Sequence, residues 1–166
     1  MGQSKGKSWN PMKIVIDSNV VFSAILNTKS KMGQLIIDGS RYFDFYSIGL
    51  LKSEILEHKD KIIKHTTYSL DEFEEIYELI ISKIVFLDEI LLTDNDLKKA
   101  TELVSDIDAD DILFVALNEH LLTNLWTGDK KLIKGLKKKG YQRLITTDEL
   151  YEIYLEKQLK KKYKRK

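Results

Sequence analysis

The sequence predicts an α/β fold with a central parallel sheet. Short apolar segments alternate along the chain with longer segments of helical periodicity, an order typical of β-α-β units. The only proline is Pro11, so no proline-rich linker divides the chain. With 166 residues, of which 43% are hydrophobic, the chain has the size and apolar content of one domain.

Five short runs of apolar or aromatic residues predict the strands. They are residues 14–16, 43–47, 85–87, 122–126 and 144–145. Each run is too short for a stable helix, and each is followed by polar residues or a turn signal.

The segments between these runs predict the helices. They are residues 20–26, 32–38, 50–63, a helix that begins at residue 69, 94–104, 108–120, 129–138, and a final helix that begins at residue 146. Ser69 and Thr146 each have a glutamate three residues later and therefore predict capping boxes. Gly39 and Gly140 predict the ends of the helices that precede them.

The composition excludes several classes of protein. Without cysteine, the chain forms no disulfide, thiolate nucleophile or cysteine-bound zinc site, and a reducing cytoplasm is expected. No apolar run approaches the ~18–20 residues of a membrane span. Residues 1–11 lack the apolar core of a secretory signal, and we interpret them as a polar leader or an added extension. Residues 12–156 are the predicted folded domain.

The charges are distributed unevenly although the net charge is +1. Residues 157–166 carry seven positive charges and no negative charge, and we interpret them as a basic C-terminal tail. A second basic cluster follows Asp129 and includes Lys130, Lys131 and Lys134. Basic groups beside an acidic site suit a polyanion, although a lysine-rich tail is also consistent with a simple solvated end.

Two aspartates stand directly after predicted strands. Asp17 follows residues 14–16, and Asp129 follows residues 122–126 after Thr127 and Gly128. Ligands of parallel α/β folds bind beyond the carboxyl ends of the strands, so we expect the two carboxylates to lie close together. Carboxylate oxygens suit Mg²⁺ or Mn²⁺. Each aspartate is also a good helix N-cap, which is the structural alternative.

Two further acidic groups fall in helical segments. Glu54 borders the apolar stripe of its helix and is preferred over Glu57 as the inward carboxylate, the alternative being an exposed glutamate. Asp108 and Asp111 precede an apolar helix and share a face. Acids in a first helical turn also favour the helix dipole, but this much like charge favours a divalent cation.

The motifs around these acids resemble those of PIN-domain ribonucleases, which include the VapC-type toxins of toxin–antitoxin pairs. The resemblance extends from about residue 12 to about residue 154. The motifs are IVIDSNV (14–20), LLKSEILEH (50–58), DADDILFVAL (108–117) and LWTGDKKL (125–132). The long helical insert at residues 68–104 and the basic tail depart from the family pattern.

The resemblance implies a three-layer α/β/α fold and a role for each acidic residue. It assigns Asp17, Glu54, Asp111 and Asp129 as catalytic residues and ligands of Mg²⁺ or Mn²⁺. It gives supporting roles to Asn19 and Thr127. Asp108 and Asp110 are additional to the family pattern, and of these two we expect Asp108 to face the site in a supporting role. Lys130, Lys131 and Lys134 are then expected to contact RNA.

The implied activity is hydrolysis of RNA phosphodiester bonds by metal-activated water. The implied partners are RNA, an antitoxin protein and a second copy of the chain. Association with a membrane is not expected. One alternative is a non-catalytic PIN-like module that binds RNA or docks a partner. A haloacid-dehalogenase-like phosphatase is the other, although its second aspartate is replaced here by Asn19.

Overall fold

A computed structural model describes residues 10–164. Most of the predicted leader and the last two residues of the basic tail lie outside the described residues. Within the described range, five strands form one parallel sheet in the order β3-β2-β1-β4-β5. The strands are β1 (Met12–Ile16), β2 (Phe43–Ile48), β3 (Ile84–Leu87), β4 (Asn124–Trp126) and β5 (Leu144–Ile145).

The middle strand, β1, ends in three consecutive buried side chains. Ile14, Val15 and Ile16 are fully buried, and β-branched residues of this kind favour a strand that is covered on both faces. Ile16 aligns with Trp126 of β4, so the strands that precede Asp17 and Thr127 end beside each other.

Nine α-helices connect and cover the strands within residues 10–164. They are α1 (Ser18–Leu26), α2 (Lys31–Ile37), α3 (Leu50–Glu57), α4 (Lys59–Lys64), α5 (Leu70–Ile81), α6 (Asp94–Val104), α7 (Ile112–Leu121), α8 (Lys130–Lys138) and α9 (Thr147–Lys164).

The helices form two groups that sandwich the sheet. Helix α7 packs against β1, β2 and β4, and α6 packs against α7 and α8. In the other group, α1 packs against α2 and α5, and α2 packs against α9. The predicted α/β/α architecture with a parallel sheet is therefore confirmed.

Two helices differ from the sequence prediction, and the final helix extends into the predicted tail. The predicted helix at 50–63 is two helices that meet at His58, whose backbone leaves the helical region (φ −100°, ψ 10°). The predicted helix at 108–120 begins with a 3₁₀ turn at Ala109–Asp111, and α7 itself starts at Ile112. The final helix continues to Lys164, so most of the basic tail is helical.

The predicted end of α8 is confirmed at Gly140. This glycine has a backbone φ of +79°, which residues with a Cβ rarely adopt.

Among the helices of residues 10–164, none combines the length and apolar character needed to cross a membrane.

Candidate active site

The carboxyl ends of β1 and β4 bring Asp17 and Thr127 into contact. The backbone N–H of Asp17 donates to the Trp126 carbonyl at 3.1 Å. The Asp17 side chain is only 2% exposed, and its Oδ2 accepts a hydrogen bond of 2.8 Å from the Thr127 hydroxyl. The carboxylate is therefore held inside the protein rather than in solvent.

The Thr127 hydroxyl organises the loop after β4. It accepts hydrogen bonds from Asn19 Nδ2 at 3.2 Å and from the backbone N–H of Asp129 at 3.1 Å. Asn19 Oδ1 in turn accepts from the backbone N–H of Gly128 at 3.0 Å. Asn19 and Thr127 thus join the loop after β1 to the loop after β4, and we name these contacts the loop clamp.

Gly128 packs closely against Met32. A Cβ at this position would lie 3.0 Å from Met32 Cε, so the end of this flexible side chain would have to shift slightly. The distance to Asn19 Oδ1 would be 3.7 Å, which is an ordinary contact.

Asp129 both caps α8 and belongs to the acidic cluster. Its Oδ1 accepts hydrogen bonds from the backbone N–H groups of Lys131 and Leu132, at 3.0 and 3.2 Å. These bonds fix one carboxylate oxygen at the helix N-terminus. The interpretation of Asp129 as a helix N-cap is therefore compatible with its interpretation as a cation ligand.

Glu54 reaches the first loop through Ser18. Its Oε2 accepts a hydrogen bond of 3.3 Å from Ser18 Oγ, which lies 3.4 Å from Asp17 Oδ1. Glu57, the competing candidate, is exposed. The sequence did not single out Ser18 as a site residue. A serine directly after a strand aspartate was the available signal, but its contact with Glu54 spans 36 positions and depends on the fold.

The third acidic segment contributes two carboxylates to the cluster. Asp108 caps the 3₁₀ turn, because its Oδ1 accepts from the Asp110 backbone N–H at 2.9 Å. Asp111 at the end of the turn is 8% exposed. One carboxylate oxygen each from Asp108, Asp111 and Asp129 lie within 4.8 Å of one another, a spacing compatible with a shared cation.

The acidic groups disfavour ionisation of one another. Burial raises the pKa of Asp111 to about 8, and neighbouring negative charges add to the increase. Those charges belong to Asp17, Asp108, Asp129 and Glu54. Burial also raises the pKa of Asp17 and of Glu54, although hydrogen bonds from Thr127 and Ser18 oppose the increase.

Two carboxylate oxygens at this site lack a hydrogen-bond donor. Glu54 Oε1 and Asp111 Oδ2 are buried, and within residues 10–164 neither accepts a hydrogen bond. A buried carboxylate oxygen without a donor is costly unless a cation neutralises it. The donor set of hard oxygens and its excess negative charge therefore fit a divalent cation.

The basic residues predicted to contact RNA lie next to the acidic cluster in the fold. Lys130, Lys131 and Lys134 occupy the first turns of α8, directly after Asp129, and all three are exposed. Their side chains are thus free to contact a polyanion approaching the cluster.

Comparison with known proteins identifies the class of protein that this fold and site define. The family model of the PIN domain matches residues 15–154, and the chain belongs to that family. The resemblance found in the sequence is thereby confirmed. A comparison with curated proteins gives no match.

The fold is also similar to a solved structure. A chain of the crystal structure of VapBC2 from Rickettsia felis, bound to a DNA fragment from their promoter, superposes with a TM-score of 0.59. The similarity covers 81% of this chain and 98% of the other at 13% sequence identity. At that identity the likeness concerns the fold.

Proposed function

We propose that this protein is a Mg²⁺- or Mn²⁺-dependent endoribonuclease. The observation that carries the proposal is an acidic cluster in which one carboxylate oxygen each of Asp108, Asp111 and Asp129 lie within 4.8 Å of one another. Buried oxygens of Asp111 and Glu54 lack hydrogen-bond donors, and the charges of Asp17 and Glu54 help to raise the pKa of Asp111. Membership of the PIN family supports it. The same membership argues against the haloacid-dehalogenase-like phosphatase.

The four acids and Asp108 would hold the cation. Asp111 is central, because its carboxylate interacts electrostatically with each of the other four. When bound, Mg²⁺ or Mn²⁺ supplies Lewis-acid stabilisation of phosphate charge and lowers the pKa of water. Thr127 and Ser18 keep Asp17 and Glu54 in place by hydrogen bonding, while Asp129 is fixed by its cap of α8.

The reaction is a hydrolysis with a defined pair of products. Water adds to phosphorus and the bond to the 3′ oxygen breaks, which leaves a 5′-phosphate and a 3′-hydroxyl. Lys130, Lys131 and Lys134 would contact phosphates flanking the scissile bond. No histidine or lysine nucleophile is required.

The test compares matched carboxylate variants. Asp17→Asn and Asp129→Asn should abolish RNA cleavage in Mn²⁺, whereas Glu75→Gln, which alters an exposed carboxylate on α5, should cleave at the parent rate. Chelator should stop cleavage by the parent, and sequencing of the RNA ends should show the predicted termini. Cleavage by the two aspartate variants at the parent rate would refute the site assignment.

The same experiment distinguishes a ribonuclease from the alternative of a non-catalytic PIN-like module. If the parent binds RNA but leaves it intact in Mg²⁺ and in Mn²⁺, the protein is a binding module. Calorimetric titration with Mn²⁺ measures metal binding independently of cleavage.

We further propose a more specific role for this nuclease, as the toxin of a toxin–antitoxin pair. It is supported by the similarity of the fold to a chain of VapBC2. We expect a small gene beside the one that encodes this chain, and we expect its product to bind this protein and inhibit cleavage. Co-expression followed by co-purification tests the partnership.

A further inference from the structure

An aromatic pair lies one helical turn away from the contact between Ser18 and Glu54. The ring centroids of Phe22 on α1 and His58 at the end of α3 are 5.5 Å apart, and the rings meet edge to face at 78°. Phe22 follows Ser18 by four positions, and His58 follows Glu54 by four. Residues with this spacing lie on one face of a helix, about 6 Å apart along its axis. The aromatic pair is therefore the next contact between α1 and α3 after the one that involves the proposed metal ligand Glu54.

The His58 ring is exposed, but its position is fixed. Its Nδ1 lies 2.8 Å from the Glu54 carbonyl oxygen and donates to it, because a carbonyl oxygen can only accept. Phe22 is half-buried and packs against the hydrophobic core, so it supports the imidazole from the side of the protein. A ring that is already held in place loses little conformational entropy when a ligand stacks on it.

The charges around His58 do not make this surface attractive to a polyanion. Its neighbours in the sequence include the acids Glu57 and Asp60 and the bases Lys59 and Lys61, whose charges cancel. Lys59 also takes part in an ion pair of 3.2 Å with α5. A nucleic acid that binds here is therefore held by the rings rather than by the local charge. Stacking on aromatic side chains is how many proteins hold the bases of single strands.

We propose that Phe22 and His58 form a stacking platform for one unpaired base of the RNA. In an edge-to-face pair each ring keeps at least one face that the other does not cover, so the exposed His58 ring can accept a base. Bases inside a duplex are stacked on one another and out of reach, so the substrate is single-stranded at this position. This inference rests on the proposed nuclease function, and it adds the class of substrate, which is RNA with an unpaired nucleotide beside the bond that is cut.

The fold places the stacking platform and the lysines of α8 on opposite sides of the middle strand. Helix α3 follows β2 and α8 follows β4, and β1 lies between these two strands in the sheet. An RNA strand that crosses the carboxyl edge can thus present one base to the platform, its scissile phosphate to the acidic cluster and its next phosphates to α8. The platform is about one helical turn from Glu54, so the stacked base belongs to a nucleotide next to the cut.

The test removes one base at a time from a single-stranded RNA. The cut position of an oligonucleotide is mapped in Mn²⁺, and fluorescence anisotropy in chelator then measures the binding of versions with a single abasic nucleotide at each position. The parent should lose about tenfold in affinity at one nucleotide beside the cut and little elsewhere, because the stacking of one base is lost. His58→Ala should bind the intact RNA about tenfold more weakly, and the abasic nucleotide should then cost nothing further.

His58→Phe separates stacking from a purely structural role of the imidazole. Phenylalanine keeps an aromatic face but cannot donate to the Glu54 carbonyl, so this variant should retain near-parent affinity and the penalty for the abasic nucleotide. If only the hydrogen bond to Glu54 mattered, His58→Phe would behave like His58→Ala. The two variants carry the same charge and should share one salt dependence. His65→Ala, which alters an exposed histidine at the end of α4, is the control and should bind like the parent.

Two results would overturn the stacking platform. One is a scan of the parent in which no abasic position beside the cut weakens binding, and this arm does not depend on the folding of any variant. The other is an equal abasic penalty in the parent and in His58→Ala. Either result leaves the nuclease standing if the parent cleaves RNA in Mn²⁺. A parent that binds RNA without cleaving it refutes the nuclease alone, if the scan still finds a base whose removal matters only when His58 is present.

Discussion

At the scale of single residues, the site depends on hydroxyl groups that hold buried carboxylates. Thr127 donates to Asp17 and accepts from Asn19 and from the backbone of Asp129. One hydroxyl thus fixes elements that are more than 100 positions apart in the chain. Ser18 Oγ lies 3.3 Å from Glu54 Oε2 and 3.4 Å from Asp17 Oδ1, and its single proton can be donated to one of these carboxylates at a time.

Removing the Thr127 hydroxyl should loosen the proposed metal site. Thr127→Val deprives Asp17 Oδ2 of its donor, and we expect the affinity for Mn²⁺ to fall about tenfold because the ligand loses its orienting partner. The free energy of unfolding should decrease by about 1–3 kcal/mol. Calorimetric titration and chemical denaturation measure the two effects. Thr127→Ser keeps the hydroxyl and should retain an affinity for Mn²⁺ near that of the parent. Equal Mn²⁺ affinities for the parent and both variants would contradict the proposed role of the loop clamp.

Asp111 should make the metal-free protein less stable at alkaline pH. Its pKa rises from 3.8 to about 8 on folding, so the folded protein retains a proton that the unfolded chain releases. The stability from this group is present below about pH 4 and is lost as the pH rises to about 8. Asp111→Asn carries no such proton and should be more stable than the parent above pH 8, by about 1–2 kcal/mol, since water at the open site screens part of the repulsion.

Denaturation in chelator at several pH values between 4 and 9 checks this expectation. The stability difference between Asp111→Asn and the parent should widen across the range, and Glu75→Gln should show no comparable trend. A difference that stays constant with pH would mean that Asp111 is ionised in the folded protein throughout.

At the scale of elements, the sequence predicted the strands and most helices because their signals are local. Hydrophobic spacing, capping boxes and glycine ends act over a few residues, and the capping box at Ser69 is present in the structure. The carboxyl-edge placement of Asp17 also followed from its position after a strand. The contact between Ser18 and Glu54 could not be predicted, because it requires the packing of α1 against α3.

The two helix predictions that were wrong fail for a common reason, which is side-chain competition for backbone groups. His58 Nδ1 lies 2.8 Å from the Glu54 carbonyl oxygen, so the imidazole takes part in the bonding of the last turn of α3. Asp108 likewise bonds the Asp110 backbone N–H and delays the start of α7. The apolar periodicity on which the helix predictions rested contains no information about either hydrogen bond.

The exposed lysines of α8 should strengthen RNA binding by neutralising phosphates. Lys130→Gln combined with Lys131→Gln should weaken binding and reduce its salt dependence. For single-stranded RNA, the logarithmic slope should fall by about 0.7 for each phosphate that is no longer neutralised. Adding Lys134→Gln should extend both effects. Fluorescence anisotropy in chelator measures them without cleavage.

A matched pair of lysines on α6 supplies the control. Lys98→Gln combined with Lys99→Gln removes the same charge from another exposed surface and should leave the slope nearer to that of the parent. Identical slopes for the two double variants would show that only the overall charge matters.

At the scale of the whole molecule, the site unites segments from most of the chain. Its acids lie at positions 17, 54, 108–111 and 129, and the sheet places the first and last of them at neighbouring strand ends. Only the folded chain gathers these proposed ligands. Metal binding and global stability should therefore be coupled.

Saturating Mn²⁺ should raise the unfolding temperature of the parent. At a concentration about 100 times the dissociation constant, the stabilisation is about 2.7 kcal/mol, which corresponds to about 5–10 °C for a domain of this size. Scanning calorimetry with Mn²⁺ and then with chelator measures the shift and its reversal. Asp17→Asn and Asp129→Asn should lose most of it, and a similar shift in those variants would place the cation elsewhere.

The loop clamp also has a consequence during protein synthesis. Asn19 leaves the ribosome early, but Thr127 and Gly128 follow only after more than 100 further residues. The Asp17 carboxylate consequently has no Thr127 hydroxyl to accept from until 110 further residues have been translated. A nascent chain that stalls before this point lacks the fourth acid as well, so the proposed active site stays incomplete while the protein is being made.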